Sequence, residues 1–376
     1  MPADGVRLTF VTDIITPYMA AVFEALARQS RLHVVYCSAS GTRAMPWGFA
    51  GGLQFEHEVV SGLTVRRRSP DATDYYLSPR IARAVFRHAP EAVIAAGYSI
   101  PTAYAWVYCA LRRRPLLIHS DGTSETERHL SRGQRLARRV LLPRTAACVA
   151  NSRPAADRFR EMGVPDHRIF MAPHSTNLAP MWEAARRRDY PPGGPLRLLT
   201  VGRLIPRKGL DRLVRATAKA IDSGTAVELR VVGNGPEEAR LRALARELGI
   251  GDSVELAGFV DQDALPSAYE AADAFAFPTL EDPFGFVLLE AAAAGLPAIA
   301  SGRAGATADL VADERSGLVV DPDDLDALAV AIGRLASDPD LRERLGRAAH
   351  EATLTRTPEG AARGYLEAVA ASLGGG

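Results

Sequence analysis

The chain has 376 residues, 47% apolar and 24% charged, so it is globular and long enough for two domain cores. A net charge of +1 gives no overall basic field for nucleic acid, and no apolar run reaches the roughly 18 residues of a membrane span. Cys37, Cys109 and Cys148 lie far apart, without metal-ligand spacing; with no signal peptide, they imply a reducing, cytoplasmic setting and no disulfides.

Strands and helices alternate along the chain, which implies parallel sheets. Strands are expected over 6–11 and 32–37, with a helix over 19–29 between them. Residues 53–68 read as a hairpin or strand pair, 81–86 as helix, and 92–95, 116–118 and 147–150 as buried strands. A polar helical stretch over 182–190 leads into Pro191-Pro192-Gly193-Gly194-Pro195, the clearest linker. The boundary is placed near Asp189, giving domains 1–188 and 189–356.

Charge is split between the halves. Residues 1–180 carry 23 basic and 14 acidic side chains, while 181–376 carry 22 and 30. Within the basic half, residues 128–142 place arginines and leucines at helical spacing, downstream of Arg112-Arg113-Arg114. That pattern suits peripheral contact with an anionic membrane or a lipid-phosphate acceptor. An ordinary exposed amphipathic helix is its rival. Nucleic acid fits poorly, because no aromatics interleave with the basic residues.

The chemistry concentrates in the second half. Residues 197–201 read as a buried strand broken by Gly202, with Arg203 at its carboxyl end and Lys208-Gly209 before an amphipathic helix over 210–221. Open α/β sheets bind ligands beyond their strand ends, so Arg203 and Lys208 are placed where a diphosphate would lie. A solvated basic loop is the plainer reading of either residue alone. Further on, Asp282 and Glu290 stand eight apart around Pro283-Phe284-Gly285-Phe286, followed by a helix-forming run. Gly285 permits close approach, and helix-start amides favour an anion. Glu290 falls roughly 6 Å further along that helix. Two acids so placed bracket an elongated ligand with an anionic middle and hydroxyls at both ends. Two other motifs carry less. Val231-Val232-Gly233-Asn234-Gly235-Pro236-Glu237 lacks the third glycine of a dinucleotide fingerprint and reads as a strand-to-helix turn. Asp321-Pro322-Asp323 precedes a helix and reads as its cap.

VGRLIPRKG and DPFGFVLLE resemble the paired basic and acidic elements of the retaining GT-B glycosyltransferases of family 4. The likeness covers the chain from about residue 145 onward, through VVGNGPEEARL, LAGFVDQDAL and YEAADAFAFPT, and is weaker before it. It implies an α/β GT-B fold: two Rossmann-like parallel-sheet domains facing a central cleft, with a helix over 357–376 crossing back onto the first. It also implies that Arg203 and Lys208 hold the donor diphosphate with Gly202, Gly285 and the amides beside Phe284 and Phe286. Asp282 or Glu281 would hold the sugar, Glu290 the ribose, and the backbone at Val260, beside Leu265, the base. His119, at a strand end, would contact the donor sugar. Asp13, Thr16, Tyr18, Tyr98 and Asp121 would line the acceptor side, and His174 reads as structural. Three departures stand out. Asp282 replaces the usual Glu, Thr16-Pro17-Tyr18-Met19 replaces a glycine-rich turn, and Pro173-His174-Ser175 replaces Pro-Asn-Gly.

The expected function is transfer of a sugar, with retention, from a nucleotide-diphosphate sugar to an acceptor hydroxyl in polysaccharide, glycolipid or natural-product synthesis. UDP is favoured over GDP, no cofactor or metal is implied, and the acceptor is a small molecule or lipid-linked. A GT-B epimerase, a phosphorylase and a non-catalytic nucleotide-sugar binder remain alternatives. A retaining hydrolase also uses two carboxylates, but needs no cationic diphosphate clamp.

Overall fold

The structure is a computed structural model that describes residues 5–38, 52–60, 62–66 and 74–374. The chain divides into two units, one of Met1–Asn177 with Arg356–Gly376, the other of Leu178–Thr355. The division precedes the proline–glycine linker rather than falling near Asp189. The reason is the helix Ala179–Arg186, whose Met181 and Ala184 join the apolar cluster of the second unit while Trp182 Nε1 donates to Thr353 Oγ1 at 3.1 Å.

The strands of the first unit are β1 (Arg7–Ile14), β2 (Arg31–Ser38), β3 (Glu56–Val59), β4 (Leu63–Arg66), β5 (Asp74–Leu77), β6 (Ala92–Ala96), β7 (Leu116–Ser120), β8 (Ala147–Ala150) and β9 (Ile169–Met171). Seven form one sheet in the order β3-β2-β1-β6-β7-β8-β9, every pairing parallel. Its inner strands are short apolar runs buried on both faces, as a parallel sheet under helices requires. Residues 53–68 hold two strands, as the expected hairpin or strand pair would, but these do not pair with each other. β3 instead joins the main sheet parallel to β2, and β4 pairs antiparallel with β5; Arg67 and Arg68 lie outside the described residues. The reason is that β3 places His57 and Glu58 opposite Val34 and Val35 of β2, extending an existing sheet edge. The helix Pro358–Gly374 packs in this unit: Ala362, Tyr365 and Val369 are buried with Phe10, Phe23, Leu117 and Val149.

The second unit holds β10 (Leu196–Val201), β11 (Val227–Val232), β12 (Val254–Gly258), β13 (Ala274–Phe277), β14 (Ala298–Ser301) and β15 (Leu318–Val320). They form a parallel sheet in the order β12-β11-β10-β13-β14-β15, in which the order reverses between β10 and β13. In a Rossmann-like sheet that reversal is the ligand-binding point, and here it brings together the ends of the strands that precede Arg203 and Asp282. Asp324 caps the helix Leu325–Ser337, accepting from Ala327 N at 2.9 Å. Asp321 and Asp323 therefore do not serve as the expected cap. Both bind Arg303, and Asp323 also binds Arg212. Among the described residues no helix is long and apolar enough to cross a membrane.

The core of the second unit sets its stability. Leu335 is fully buried against Leu213, Ile332 and Leu345. Leu335→Ala is expected to cost about 2–5 kcal/mol, read as a lower midpoint in urea unfolding with an unchanged slope.

Candidate functional site

The loop after β10 is fixed at both ends by backbone. Gly202 N donates to Val232 O and Leu204 N to Asn234 O, each at 2.9 Å. At the far end Leu280 N and the Thr279 hydroxyl donate to Arg207 O at 2.8 and 3.0 Å, and Arg207 Nη1 donates to Glu281 O at 3.1 Å. Gly209 takes φ 65°, and a Cβ there would stand 2.1 Å from Pro278 O. Only glycine allows the loops after β10 and β13 to touch at this point.

That contact presents Lys208 to Asp282, whose Nζ and Oδ2 lie 2.5 Å apart with both side chains largely buried. The ammonium also sits 5.4 Å from the centre of the Phe277 ring. Asp282 is anchored twice more: Oδ1 accepts from Phe284 N at 3.2 Å, and its carbonyl accepts from Gly305 N at 3.1 Å. Of the two adjacent acids, Asp282 forms the ion pair, and Glu281 is half-buried beside it. Gly202, Arg203, Lys208, Phe277 and Pro278 line one recess, so the cations expected to hold a diphosphate share a surface.

Gly285 stands at the start of the helix Phe286–Ala293 with φ 103°. A Cβ would meet the Phe277 ring at 2.7 Å, so ring and helix start are packed without spare room. Phe284 is buried, and its ring meets Phe286 edge-on at 5.2 Å. Further along the helix, Glu290 is buried and accepts from the Tyr269 hydroxyl at 2.8 Å. Burial pushes the Glu290 carboxyl up to about 7, against the opposing hydrogen bond from Tyr269. Arg188 fixes the elements around this pair, donating to the carbonyls of Tyr269 and Ala272 at 2.6 Å and Ala294 at 2.7 Å. Val260 and Leu265 are half-buried against the cluster that contains Tyr269 and Phe275.

In the first unit, His119 lies near the carboxyl end of β7 and meets the Tyr365 hydroxyl through Nδ1 at 2.6 Å. Asn151 Nδ2 donates to the same hydroxyl oxygen at 3.3 Å and to Ala172 O at 2.8 Å. The consistent arrangement has Tyr365 donating to Nδ1, which leaves the imidazole proton on Nε2. Burial, then neighbouring His174, push His119 down to about 4, with Asp121 acting against them. His119 is therefore neutral near pH 7. His174 is buried 6.4 Å from it, centre to centre, with Asp121 3.9 Å beyond Nε2. Asp13 is exposed at the end of β1, and Thr16 and Tyr18 flank the start of the helix Pro17–Ala27. Tyr98 is turned into packing: the Arg138 guanidinium covers its ring at 4.5 Å, and Arg138 and Arg158 both hold buried Glu127.

Sequence reading did not select Tyr269, Phe277 or Tyr365. No spacing rule links Tyr269 to Glu290 or Tyr365 to His119, because each pair meets only through tertiary packing. Phe277 reads as one more apolar strand residue.

Residues 16–179 match the family description Glycosyltransferase Family 4, and residues 183–352 match Glycosyl transferases group 1. The chain belongs to this GT-B glycosyltransferase family. Over 179 residues it is 36% identical to the GDP-mannose-dependent alpha-(1-6)-phosphatidylinositol monomannoside mannosyltransferase of Mycobacterium tuberculosis, covering 46% of each chain. Over 215 residues it is 34% identical to the lipopolysaccharide core biosynthesis glycosyltransferase LpsD of Rhizobium meliloti, covering 57% of this chain and 60% of that one. The chain thus spans about half the length of the curated relatives it matches. The fold matches that of Anabaena Alr3699/HepE, solved in complex with UDP, with a TM-score of 0.76 at 18% identity over 97% of this chain and 100% of that one.

Glu290 binds its proton more tightly folded than unfolded, its pKa rising from 4.5 to about 7. Its contribution to stability is complete below pH 4.5 and is lost as pH rises through 7. Glu290→Gln should flatten that fall, removing about 3 kcal/mol of the loss between these limits, as measured by urea unfolding across a pH series.

Proposed function

We propose that the protein is a retaining glycosyltransferase that moves a sugar from a nucleotide-diphosphate donor to an acceptor hydroxyl. The observation that carries this reading is the Lys208–Asp282 pair beside Arg203 and the Gly285 helix start, with buried Glu290 further along the same helix. In this reading Lys208, Arg203 and the first amides of the helix take up the charge that develops on the leaving diphosphate. Asp282, freed from Lys208, accepts hydrogen bonds from sugar hydroxyls. Glu290 accepts from the ribose hydroxyls, while Tyr269 holds its carboxylate in place. His119, neutral with Nε2–H, donates to the sugar. The acceptor proton passes to the departing phosphate oxygen on the same face, so no side chain need act as base. Arg203 and Lys208 provide the cationic charge, and the reaction is proposed to need no divalent ion. The acceptor is a small molecule or a lipid-linked glycan.

Ribose hydroxyls favour ionised Glu290, so donor affinity should rise with pH up to about 7 and level off above it. A thermal-shift panel of UDP- and GDP-sugars identifies the donor, since ligand binding stabilises the native state. With that donor, Lys208→Ala and Glu290→Ala should each lower kcat by about 10²-fold or more while circular dichroism stays native. Near-full turnover in both variants refutes the assignment. Consumption of donor without acceptor marks an epimerase instead, and phosphate-dependent sugar release marks a phosphorylase.

A further inference from the structure

A separate constellation lies on the first unit, where β2, β3 and the helix Arg80–His88 meet. His33, Glu58 and His88 bring one ligand atom each within 4.8 Å of one another. The Nε2 atoms of His33 and His88 stand 3.3 and 3.0 Å from the same oxygen, Glu58 Oε1. Their rings stack at 3.4 Å with 22° between the planes. His33 is 9% exposed, and among the described residues its ring nitrogens have no well-aligned hydrogen bond, Nε2 facing Glu58 only at the 3.3 Å ion-pair distance. A buried imidazole so poorly hydrogen-bonded carries a desolvation cost that a ligand on the lone pair would offset.

Distances and donor types favour a metal as that ligand. Bonds of about 2.0–2.1 Å in a tetrahedral site put neighbouring ligand atoms about 3.3 Å apart, close to the spacing of both histidine nitrogens from Glu58. The surroundings resemble the outer shell that orients metal ligands. Arg87 Nη2 holds the other Glu58 oxygen at 2.5 Å, and Glu56 Oε2 stands 3.9 Å from His33 Nδ1.

We propose that His33, Glu58 and His88 bind one divalent transition-metal ion, zinc foremost, with water in the fourth position. Two imidazoles and a carboxylate suit zinc, whereas a hard ion such as calcium takes oxygen ligands. On binding, the imidazoles turn out of their stack so that each lone pair meets the ion. The ion joins edge strand β3 to β2 and to the end of the helix Arg80–His88. Its role is to stabilise the unit by mass action. Nothing in the donor-site reading depends on it.

The test uses the full chain, stripped with a chelator and titrated with zinc alone, then with cobalt alone. Expected are one zinc per chain, a raised melting temperature, and the strong visible absorption of tetrahedral cobalt. His88→Gln and Glu58→Gln should each weaken zinc binding about tenfold or more and remove the thermal shift. Failure of the wild type to take up zinc at one per chain, or to give the cobalt spectrum, overturns the site. So does zinc binding that both folded variants retain unchanged, which would place the ion on other histidines. The wild-type titration and spectrum decide the matter even where a variant fails to fold.

Discussion

The candidate donor site depends on backbone touching backbone. The loop after β10 meets the loop after β13 at Gly209 and Pro278, and hydrogen bonds between Arg207, Thr279, Leu280 and Glu281 close the seam. Because main-chain atoms take part in every one of these contacts, the backbone positions of Lys208 and Asp282 are set before either of their side chains chooses a rotamer. Oriented charge that needs no reorganisation is the form of electrostatics that stabilises a transition state most. The sheet supplies the rest of the order, since its reversal between β10 and β13 makes these two loops neighbours.

Burial then divides labour between two acids of one motif. Asp282 has a lysine and a backbone amide to hold its charge. Among the described residues Glu290 has only a tyrosine hydroxyl, and burial raises its proton affinity against that hydrogen bond. The first unit uses the same device on an imidazole: Tyr365, set by Asn151, holds His119 in one tautomer while burial keeps it uncharged. That tyrosine arrives on the helix Pro358–Gly374, whose packing among Phe10, Phe23 and Leu117 makes a distant part of the chain integral to the histidine's setting.

Much of this was legible from residue order. The apolar runs of β6, β8 and β10 are short, continuous and bounded by turn residues, which marks buried parallel strands. Arg203, Lys208, Asp282, Gly285 and Glu290 are encoded locally, since loop glycines and charges at strand ends report their own geometry. Tyr269 and Tyr365 are not, because what distinguishes them is the partner they reach across the fold. Residues 53–68 misled for a related reason: alternation predicts a strand but not which neighbour it pairs with. The domain boundary moved because the helix Ala179–Arg186 sides with the unit that buries Met181, which no linker composition records. Asp324 took the capping role from Asp321 and Asp323 by standing directly before the first helical turn.

The contact between Lys208 and Asp282 has a consequence for selectivity. Without a donor, each group is the other's counterion. On the proposed reading, an anion that draws the ammonium away leaves a buried carboxylate stranded, a penalty that an anion without hydrogen-bond donors cannot relieve. On that reading, a molecule bringing both an acidic group and hydroxyl donors compensates the two partners together. On the proposed reading, the pair would act as a latch that opens to a two-part key and not to half of one.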